Sequence, residues 1–151
     1  MPARPSHTVY LVRHAKAEPS AASDAARRLT PDGRTRFERL ARALAERMPL
    51  TAVVTSPFTR ARETADILAR ATGAPLREDD RLASGTCNGR ELLTLVREAP
   101  AGAALVGHNP EIAEAVAALA GKDVEVKPGA VAALEVRGRE VTLAWLELPG
   151  R

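Results

Sequence analysis

The stretch Thr8-Val9-Tyr10-Leu11-Val12-Arg13-His14 decides how this chain folds. Its apolar and β-branched part predicts a short buried strand over residues 8–12, and the basic pair that follows predicts where the strand ends. The same change from apolar to polar residues occurs twice more, where residues 52–55 lead into Ser56-Pro57 and residues 103–106 lead into Gly107-His108-Asn109. The chain therefore has three predicted buried strands that each end at polar side chains.

Helices are predicted between and after these strands, over residues 31–48, 57–71, 90–98 and 110–120. Apolar residues recur at helical spacing in the first of them, at Phe37, Leu40, Ala41, Leu44 and Met48. Thr30, Ser56 and Asn109 each precede a proline, a pairing typical of a capped helix start with proline at the first helical position. Residues 15–29 and 76–88 lack a period and are predicted to be irregular. Residues 130–136 and 141–148 predict two strands joined by a hairpin turn at residues 137–139.

Strand, tight turn and helix in this order are typical of an α/β protein with a parallel sheet. At 151 residues the chain fits one compact domain, which we assign to residues 1–151. The expected fold is a single-domain three-layer α/β/α sandwich, with a mostly parallel central sheet, helices on both faces and a C-terminal antiparallel hairpin.

Composition narrows the class of protein. Hydrophobic residues make up 45% and charged residues 27% of the chain, the balance of a soluble globular protein. No apolar stretch is long enough to span a membrane and the N-terminus lacks the apolar run of a signal peptide, so we expect a cytoplasmic protein with no membrane partner. Cys87 is the single cysteine, which excludes an intramolecular disulfide, and we expect an incidental thiol.

The net charge of +3 suits anionic ligands. No base-stacking or groove-reading motif accompanies the basic residues, so we expect no nucleic-acid partner. The sequence has no sustained heptad and no unexplained apolar stripe, and we expect a monomer.

Candidate site residues follow the predicted strands. Ligands bind beyond the carboxyl ends of parallel strands. We therefore expect these residues to converge on one edge of the sheet: Arg13, His14, Ser56, Arg60, His108 and Asn109. Arginine grips phosphate through two charge-assisted hydrogen bonds, and Arg60 lies in the first turn of its helix, where the dipole favours an anion. A neutral histidine can attack phosphorus and a protonated one can stabilise phosphoryl oxygens, so the set predicts phosphoryl transfer.

A metal site is the competing interpretation. His14 and His108 would need a third ligand, and the remaining histidine, His7, lies at the opposite end of the first strand. Two arginines beside a divalent cation would also repel it. We therefore expect no metal and no other cofactor. A single histidine at a strand end is often only structural, so the prediction depends on His14 and His108 occurring together with Arg13 and Arg60.

Four segments resemble motifs of the histidine phosphatase superfamily, which includes the cofactor-dependent phosphoglycerate mutases. Leu11-Val12-Arg13-His14-Ala15 is similar to its Arg-His-Gly signature, and residues 56–65 (SPFTRARETA) are similar to its Ser-Pro-x-x-Arg-Ala-x-x-Thr-Ala segment. Residues 28–33 resemble its Leu-Thr-x-x-Gly helix start, and Gly107-His108-Asn109-Pro110 resembles its Gly-His motif. The short length and the Gly-His-Asn-Pro form are most similar to the SixA branch of phosphohistidine phosphatases.

The resemblance implies a metal-independent phosphatase in which His14 becomes phosphorylated, while Arg13, Arg60 and His108 bind the phosphoryl group. Asn109 is a further candidate phosphate ligand. The implied substrate is a phosphohistidine in a protein, with small phosphorylated molecules as the alternative. Mutase activity is disfavoured because residues 76–88 are too short for a lid that excludes water. A non-catalytic phosphate- or phosphoprotein-binding module is disfavoured because the Arg-His, Arg and His set is intact.

Two positions depart from the family pattern. Ala15 replaces glycine, a change that the turn tolerates if this residue keeps a negative φ. No carboxylate occupies residues 81–84, where many relatives carry a glutamate proton donor; Asp79, Asp80 and Glu91 are the nearest. A protonated phosphoramidate nitrogen leaves readily without a strong acid, so we expect phosphohistidine and aryl phosphates to be cleaved better than alkyl phosphates.

Overall fold

The computed structural model describes residues 5–150 and shows one six-stranded sheet with helices on both faces. The strands are β1 (His7–Arg13), β2 (Ala52–Thr55), β3 (Leu76–Glu78), β4 (Ala103–Gly107), β5 (Val131–Arg137) and β6 (Glu140–Glu147). The helices are α1 (Pro31–Ala45), α2 (Thr59–Thr72), α3 (Gly89–Glu98) and α4 (Glu111–Ala120). Short 3₁₀ turns lie at Asp24–Ala26 and Asp80–Leu82.

The strand order β3-β2-β4-β1-β5-β6 confirms the predicted sheet. The strands β3, β2, β4 and β1 run parallel to their neighbours, and β5 pairs antiparallel with both β1 and β6. The last two strands therefore form the predicted antiparallel hairpin beside a parallel sheet.

The alternating side chains of β1 show why the sheet needs cover on both faces. Tyr10 and Val12 join the apolar cluster formed with α1 and α2, whereas Val9 and Leu11 join the cluster formed with α3 and α4. A strand that is buried on both faces lies between two helical layers, so the predicted three-layer sandwich is confirmed. None of the helices within residues 5–150 combines the length and apolarity that a membrane span requires.

The element boundaries differ from prediction where side chains bond locally. Residues 76–78, predicted to be irregular, form the edge strand β3, whose three side chains are all exposed and include only one apolar residue, Leu76. The Thr30 hydroxyl caps α1 as predicted, accepting from Gly33 N at 2.9 Å, but α1 ends at Ala45 rather than at residue 48. Ser56 does not cap a helix at Pro57: its hydroxyl accepts from Phe58 N at 3.1 Å, and α2 begins at Thr59.

Asn109 also acts differently from the predicted cap. Its Oδ1 accepts from Ala113 N at 3.1 Å, and α4 begins at Glu111, one residue later than predicted. The polar residues after β2 and β4 thus form tight turns of their own before each helix starts. These turns carry the functional side chains away from the sheet.

Candidate active site

The ends of β1, β2 and β4 lie side by side at one edge of the sheet. The register places Arg13 opposite Gly107 and Thr55 opposite Val106. The chain therefore leaves these three strands at adjacent points, and the next residues are His14, Ser56 and His108. The imidazole rings of His14 and His108 lie 5.2 Å apart between centroids. The structure thus brings together side chains that the sequence separates by more than ninety positions.

His14 has a defined tautomer. Its Nδ1 lies 2.7 Å from the carbonyl oxygen of Ala15, which can only accept, so Nδ1 carries the proton and donates it. The other ring nitrogen, Nε2, is then unprotonated, and its lone pair accepts a hydrogen bond from Arg60 Nε at 3.3 Å.

The environment of His14 keeps this tautomer neutral. The side chain is only 8% exposed. Burial lowers its pKa to about 4, and the positive charges of Arg60 and Arg13 act in the same direction, while the bond to Ala15 opposes them. At neutral pH the imidazole is therefore uncharged and presents Nε2 as a nucleophile.

A buried threonine fixes the turn that holds His14. The N–H of Ala15 donates to Thr64 Oγ1 at 3.0 Å, and the Thr64 hydroxyl donates to the carbonyl of Arg60 at 2.8 Å. Ala15 packs in the core between sheet and helices, and no non-glycine residue within residues 5–150 has a positive φ. Alanine thus fits where relatives have glycine. Thr64 lies in the quoted motif, but the sequence assigned it no role; its signal is a threonine one helical turn after the candidate arginine.

Arg60 is the most heavily engaged cation of the site. It is only 4% exposed, and it lies in the first turn of α2, as predicted. Besides the bond to His14, its Nη1 donates to the backbone oxygen of Asp24 at 2.7 Å and its Nη2 donates to Asp24 Oδ2 at 3.2 Å. The guanidinium carbon also lies 5.1 Å from the centre of the Phe58 ring. Asp24 and Phe58 were not predicted, because an acidic residue in a polar loop and a lone aromatic carry no specific signal.

Two buried nitrogens of the site have no partner within residues 5–150. Arg13 donates through Nη1 to the carbonyl of Val126 at 2.9 Å, but its Nε is unpaired. His108 places Nε2 2.7 Å from the Ser56 hydroxyl, but its Nδ1 is unpaired. Since buried polar groups are nearly always hydrogen-bonded, this pair fits a site that an anion completes.

His108 is neutral in this state. Burial lowers its pKa to about 3, and the neighbouring His14 and Arg60 lower it further. A bound phosphoryl group would reverse part of this effect, because a nearby negative charge favours the imidazolium. His108 is therefore suited to take up a proton when an anion arrives.

Asn109 lies at this edge but its side chain is committed to the fold. Its Nδ2 donates to the carbonyl of Val126 at 3.0 Å, and its Oδ1 accepts from Ala113, as described above. The same Val126 carbonyl accepts from Arg13. These contacts hold the turn, and phosphate binding by Asn109 through the second hydrogen of Nδ2 stays a prediction.

Two of the three candidate proton donors in the sequence are bonded elsewhere, and the third, Asp80, is exposed. Asp79 pairs with Arg81 at 2.7 Å, and this bond lowers the pKa of the carboxyl. Glu91 accepts from Asn88 N at 3.1 Å in the capping box of α3.

Sequence reasoning overlooked Glu111, which is 4% exposed beside His108 and whose pKa is raised by burial. Burial also raises the pKa of the Cys87 thiol, which disfavours the thiolate.

A metal would require several ligands close together. Within the part of the chain that the structure describes, no three His, Cys, Asp or Glu side chains are grouped in that way. What the site concentrates instead is positive charge and unpaired buried nitrogens around a neutral histidine. This is the arrangement that phosphoryl transfer uses, because the reaction needs mainly positioning and stabilisation of negative charge.

Comparison with known proteins agrees with this chemistry. A search of curated protein sequences finds no match. Among solved structures, the protein histidine phosphatase SixA complexed with tungstate is 25% identical, with a TM-score of 0.82, over 94% of this chain and 97% of that one. A phosphohistidine phosphatase SixA from Agrobacterium tumefaciens is 26% identical, with a TM-score of 0.81, over 95% and 99% of the two chains. One from Nakamurella multipartitia is 27% identical, with a TM-score of 0.74, over 98% and 99%.

The sequence profile of the histidine phosphatase superfamily (branch 1) matches residues 9–127, which include Arg13, His14, Arg60 and His108. The match covers most of the chain. The chain belongs to the histidine phosphatase superfamily (branch 1).

Proposed function

We propose that this protein removes phosphoryl groups from phosphohistidine in a protein, through a covalent phosphohistidine intermediate on its own His14. The observation that carries the proposal is the state of His14, a buried neutral imidazole whose unprotonated Nε2 faces the guanidinium of Arg60. Membership of the family supports phosphatase chemistry. The likeness to SixA phosphatases supports phosphohistidine as the substrate class.

The first step is attack by His14. The Nε2 lone pair forms a bond to phosphorus while the bond between phosphorus and the leaving group breaks. Arg13, Arg60 and His108 would bind the phosphoryl oxygens and stabilise their negative charge. The Nδ1 proton stays on the ring, which becomes a phosphorylated imidazolium, and the Ala15 carbonyl stabilises that positive charge.

The second step is hydrolysis. The oxygen of a water molecule attacks phosphorus, the bond from phosphorus to Nε2 breaks and its electron pair returns to His14. The water gives up a proton to solvent and inorganic phosphate leaves. The enzyme is then back in its starting tautomer, because Nδ1 kept its proton throughout.

The leaving group explains the proposed substrate class. Asp79 pairs with Arg81, and Glu91 accepts from Asn88 N in the capping box of α3, so neither carboxylate is free to donate a proton to the substrate. The leaving group of phosphohistidine is a protonated or weakly basic imidazole, whereas the leaving group of an alkyl phosphate is a strongly basic alkoxide. Phosphohistidine and aryl phosphates are therefore the substrates that such a site cleaves well.

The test compares wild type with His14→Ala, using phosphohistidine, p-nitrophenyl phosphate and 3-phosphoglycerate. We expect kcat/KM for the first two substrates to fall by at least about a thousandfold in His14→Ala, because loss of a nucleophile removes the covalent route. His7→Ala is the matched control, since His7 lies at the other end of β1. Equal rates in wild type and His14→Ala would exclude His14 as the nucleophile. Efficient turnover of 3-phosphoglycerate would contradict the substrate class.

A small phosphorylated molecule is the alternative substrate. A phosphorylated protein that has a much lower KM than free phosphohistidine would favour the protein substrate, since the gain must come from contacts outside the phosphoryl group. A wild-type protein that binds phosphate but hydrolyses none of these substrates would be a binding module. We further propose a monomer in the cytoplasm, where its single cysteine stays reduced.

A further inference from the structure

The Arg60 guanidinium donates to both the nucleophile and a carboxylate. Nε donates to His14 Nε2 at 3.3 Å, and Nη2 donates to Asp24 Oδ2 at 3.2 Å. Nε and Nη2 form the side of an arginine that binds two oxygens of one oxyanion at once. A phosphoryl group on His14 Nε2 would lie beside Arg60, so Asp24 Oδ2 occupies a donor, Nη2, that a phosphoryl oxygen needs.

We infer that Asp24 is an internal competitor for the phosphoryl group, whose carboxylate must leave Arg60 before an oxyanion binds and which thereby limits how tightly the site holds phosphate. The inference rests on the proposed function, in that the phosphoryl group is taken to bind beside His14. It makes Asp24 a residue that sets the affinity for the phosphoryl group rather than a catalytic residue.

The position of Asp24 allows its side chain to leave. The residue begins the three-residue 3₁₀ turn Asp24–Ala26, which has no buried residue, and its side chain is 59% exposed. Arg27 holds the other carboxylate oxygen at 2.9 Å. This second arginine gives the displaced carboxylate a partner, so moving away from Arg60 does not leave it as an isolated charge. The two arginines also keep the pKa of Asp24 below its usual range, so the competitor is charged at neutral pH.

The backbone of Asp24 has a separate role. Its carbonyl accepts from Arg60 Nη1 at 2.7 Å, on the side of the guanidinium away from His14. This bond does not depend on the side chain. When the carboxylate gives way, the carbonyl still holds the guanidinium in the orientation that presents Nε and Nη2 to a phosphoryl group.

The cost of displacing Asp24 is the same for every ligand whose phosphoryl group binds to Arg60. Inorganic phosphate offers few contacts beyond the pocket, so this cost leaves its binding weak and favours release of the product. A phosphoryl group on a protein brings further contacts that offset the same cost.

The test measures the Kd of inorganic phosphate by calorimetry for wild type, Asp24→Asn and Glu18→Gln. Asparagine keeps the backbone carbonyl and the approximate size but removes the charge. Glu18→Gln removes the same charge from the same loop, and the Glu18 carboxylate makes no ion pair with Arg60. We expect Asp24→Asn to lower the Kd by about three- to tenfold, the range for loss of a partly exposed ion pair and its hydrogen bond, and Glu18→Gln to change it less than about twofold.

Three results would overturn the inference. They are an unchanged Kd in Asp24→Asn, a higher Kd in Asp24→Asn, or an equal fall in Kd in Asp24→Asn and Glu18→Gln, which would indicate a general charge effect. Arg60→Gln shows that the phosphate measured binds at this site, since its Kd must rise. Failure of the proposed function is recognised separately, as absence of hydrolysis by wild type. If the wild type has no activity but Asp24→Asn still lowers the Kd of phosphate, the proposed function is refuted and the inference about Asp24 stands.

Discussion

His14 is expected to titrate with a midpoint near pH 4 in the folded protein. The shift from the ordinary 6.5 to about 4 corresponds to roughly 3 kcal/mol against the imidazolium. At pH 6, about 1% of His14 is then protonated, compared with about three quarters of an ordinary histidine. The nucleophile therefore stays active at pH values where an exposed histidine would be mostly lost.

Nuclear magnetic resonance measures this midpoint directly. The chain has three histidines, so the Cε1–H signals are few, and His14→Gln and His108→Gln assign two of them. The nitrogen shifts above the midpoint should show Nδ1 protonated and Nε2 bare, as the bond to Ala15 requires. A wild-type midpoint near 6.5, or a ring protonated on Nε2, would refute the account of the nucleophile.

A variant of Arg60 separates the two causes of the shift. Burial is the larger cause and the charge of Arg60 is a smaller one that acts in the same direction. Arg60→Gln should therefore raise the His14 midpoint but leave it clearly below 6.5. A midpoint that does not move would mean that Arg60 exerts no field at Nε2, and a return to 6.5 would mean that burial does little.

Three further predictions concern stability. Thr64→Val removes the acceptor of the Ala15 N–H and leaves that buried group unpaired, which should lower the free energy of unfolding in urea by about 1–3 kcal/mol; a loss below about 0.5 kcal/mol would contradict this role. Ala15→Gly should cost about 1 kcal/mol, because the methyl group packs in the core and the turn does not require a positive φ; a more stable variant would reveal strain at Ala15. Glu111→Gln should become stabilising relative to wild type as pH rises from 5 to 8. The pKa of this buried carboxyl is raised, so its contribution to stability is present below its unfolded value and is lost as pH rises through the folded value. A stability difference independent of pH would contradict it.

Much of this fold follows from local sequence, because buried parallel strands need apolar residues on both faces. Residues 9–12 of β1, 52–54 of β2 and 103–106 of β4 form apolar runs, and a polar residue follows soon after each run. Once such strands are recognised, the meeting of His14 and His108 at one edge follows from the geometry of a parallel sheet. Strand β3 could not be found in this way, since it pairs through its backbone and exposes all three side chains.

The local turns and the residues that surround the site could not be predicted from the sequence. Whether Ser56 caps a helix or bonds Phe58 and His108 depends on where the β4 turn places His108, which is a tertiary contact. Asp24 reaches Arg60 across 36 positions from a loop without periodicity. Such contacts leave no pattern in the chain, because a single polar residue in a polar loop fits many environments equally well.

The separate roles of His14 and of the arginines argue for the proposed substrate class. Burial keeps His14 neutral and nucleophilic, while the arginines carry positive charge to the phosphoryl oxygens. The histidine supplies the nucleophile and the arginines stabilise the phosphoryl oxygens, and neither protonates a leaving group. No carboxylate occupies residues 81–84, the position of the family's donor, and Asp79 and Glu91 are bonded to Arg81 and to Asn88 N. The substrate itself must therefore have a good leaving group. A phosphoramidate nitrogen that takes its proton from water meets this demand, and an alkoxide does not.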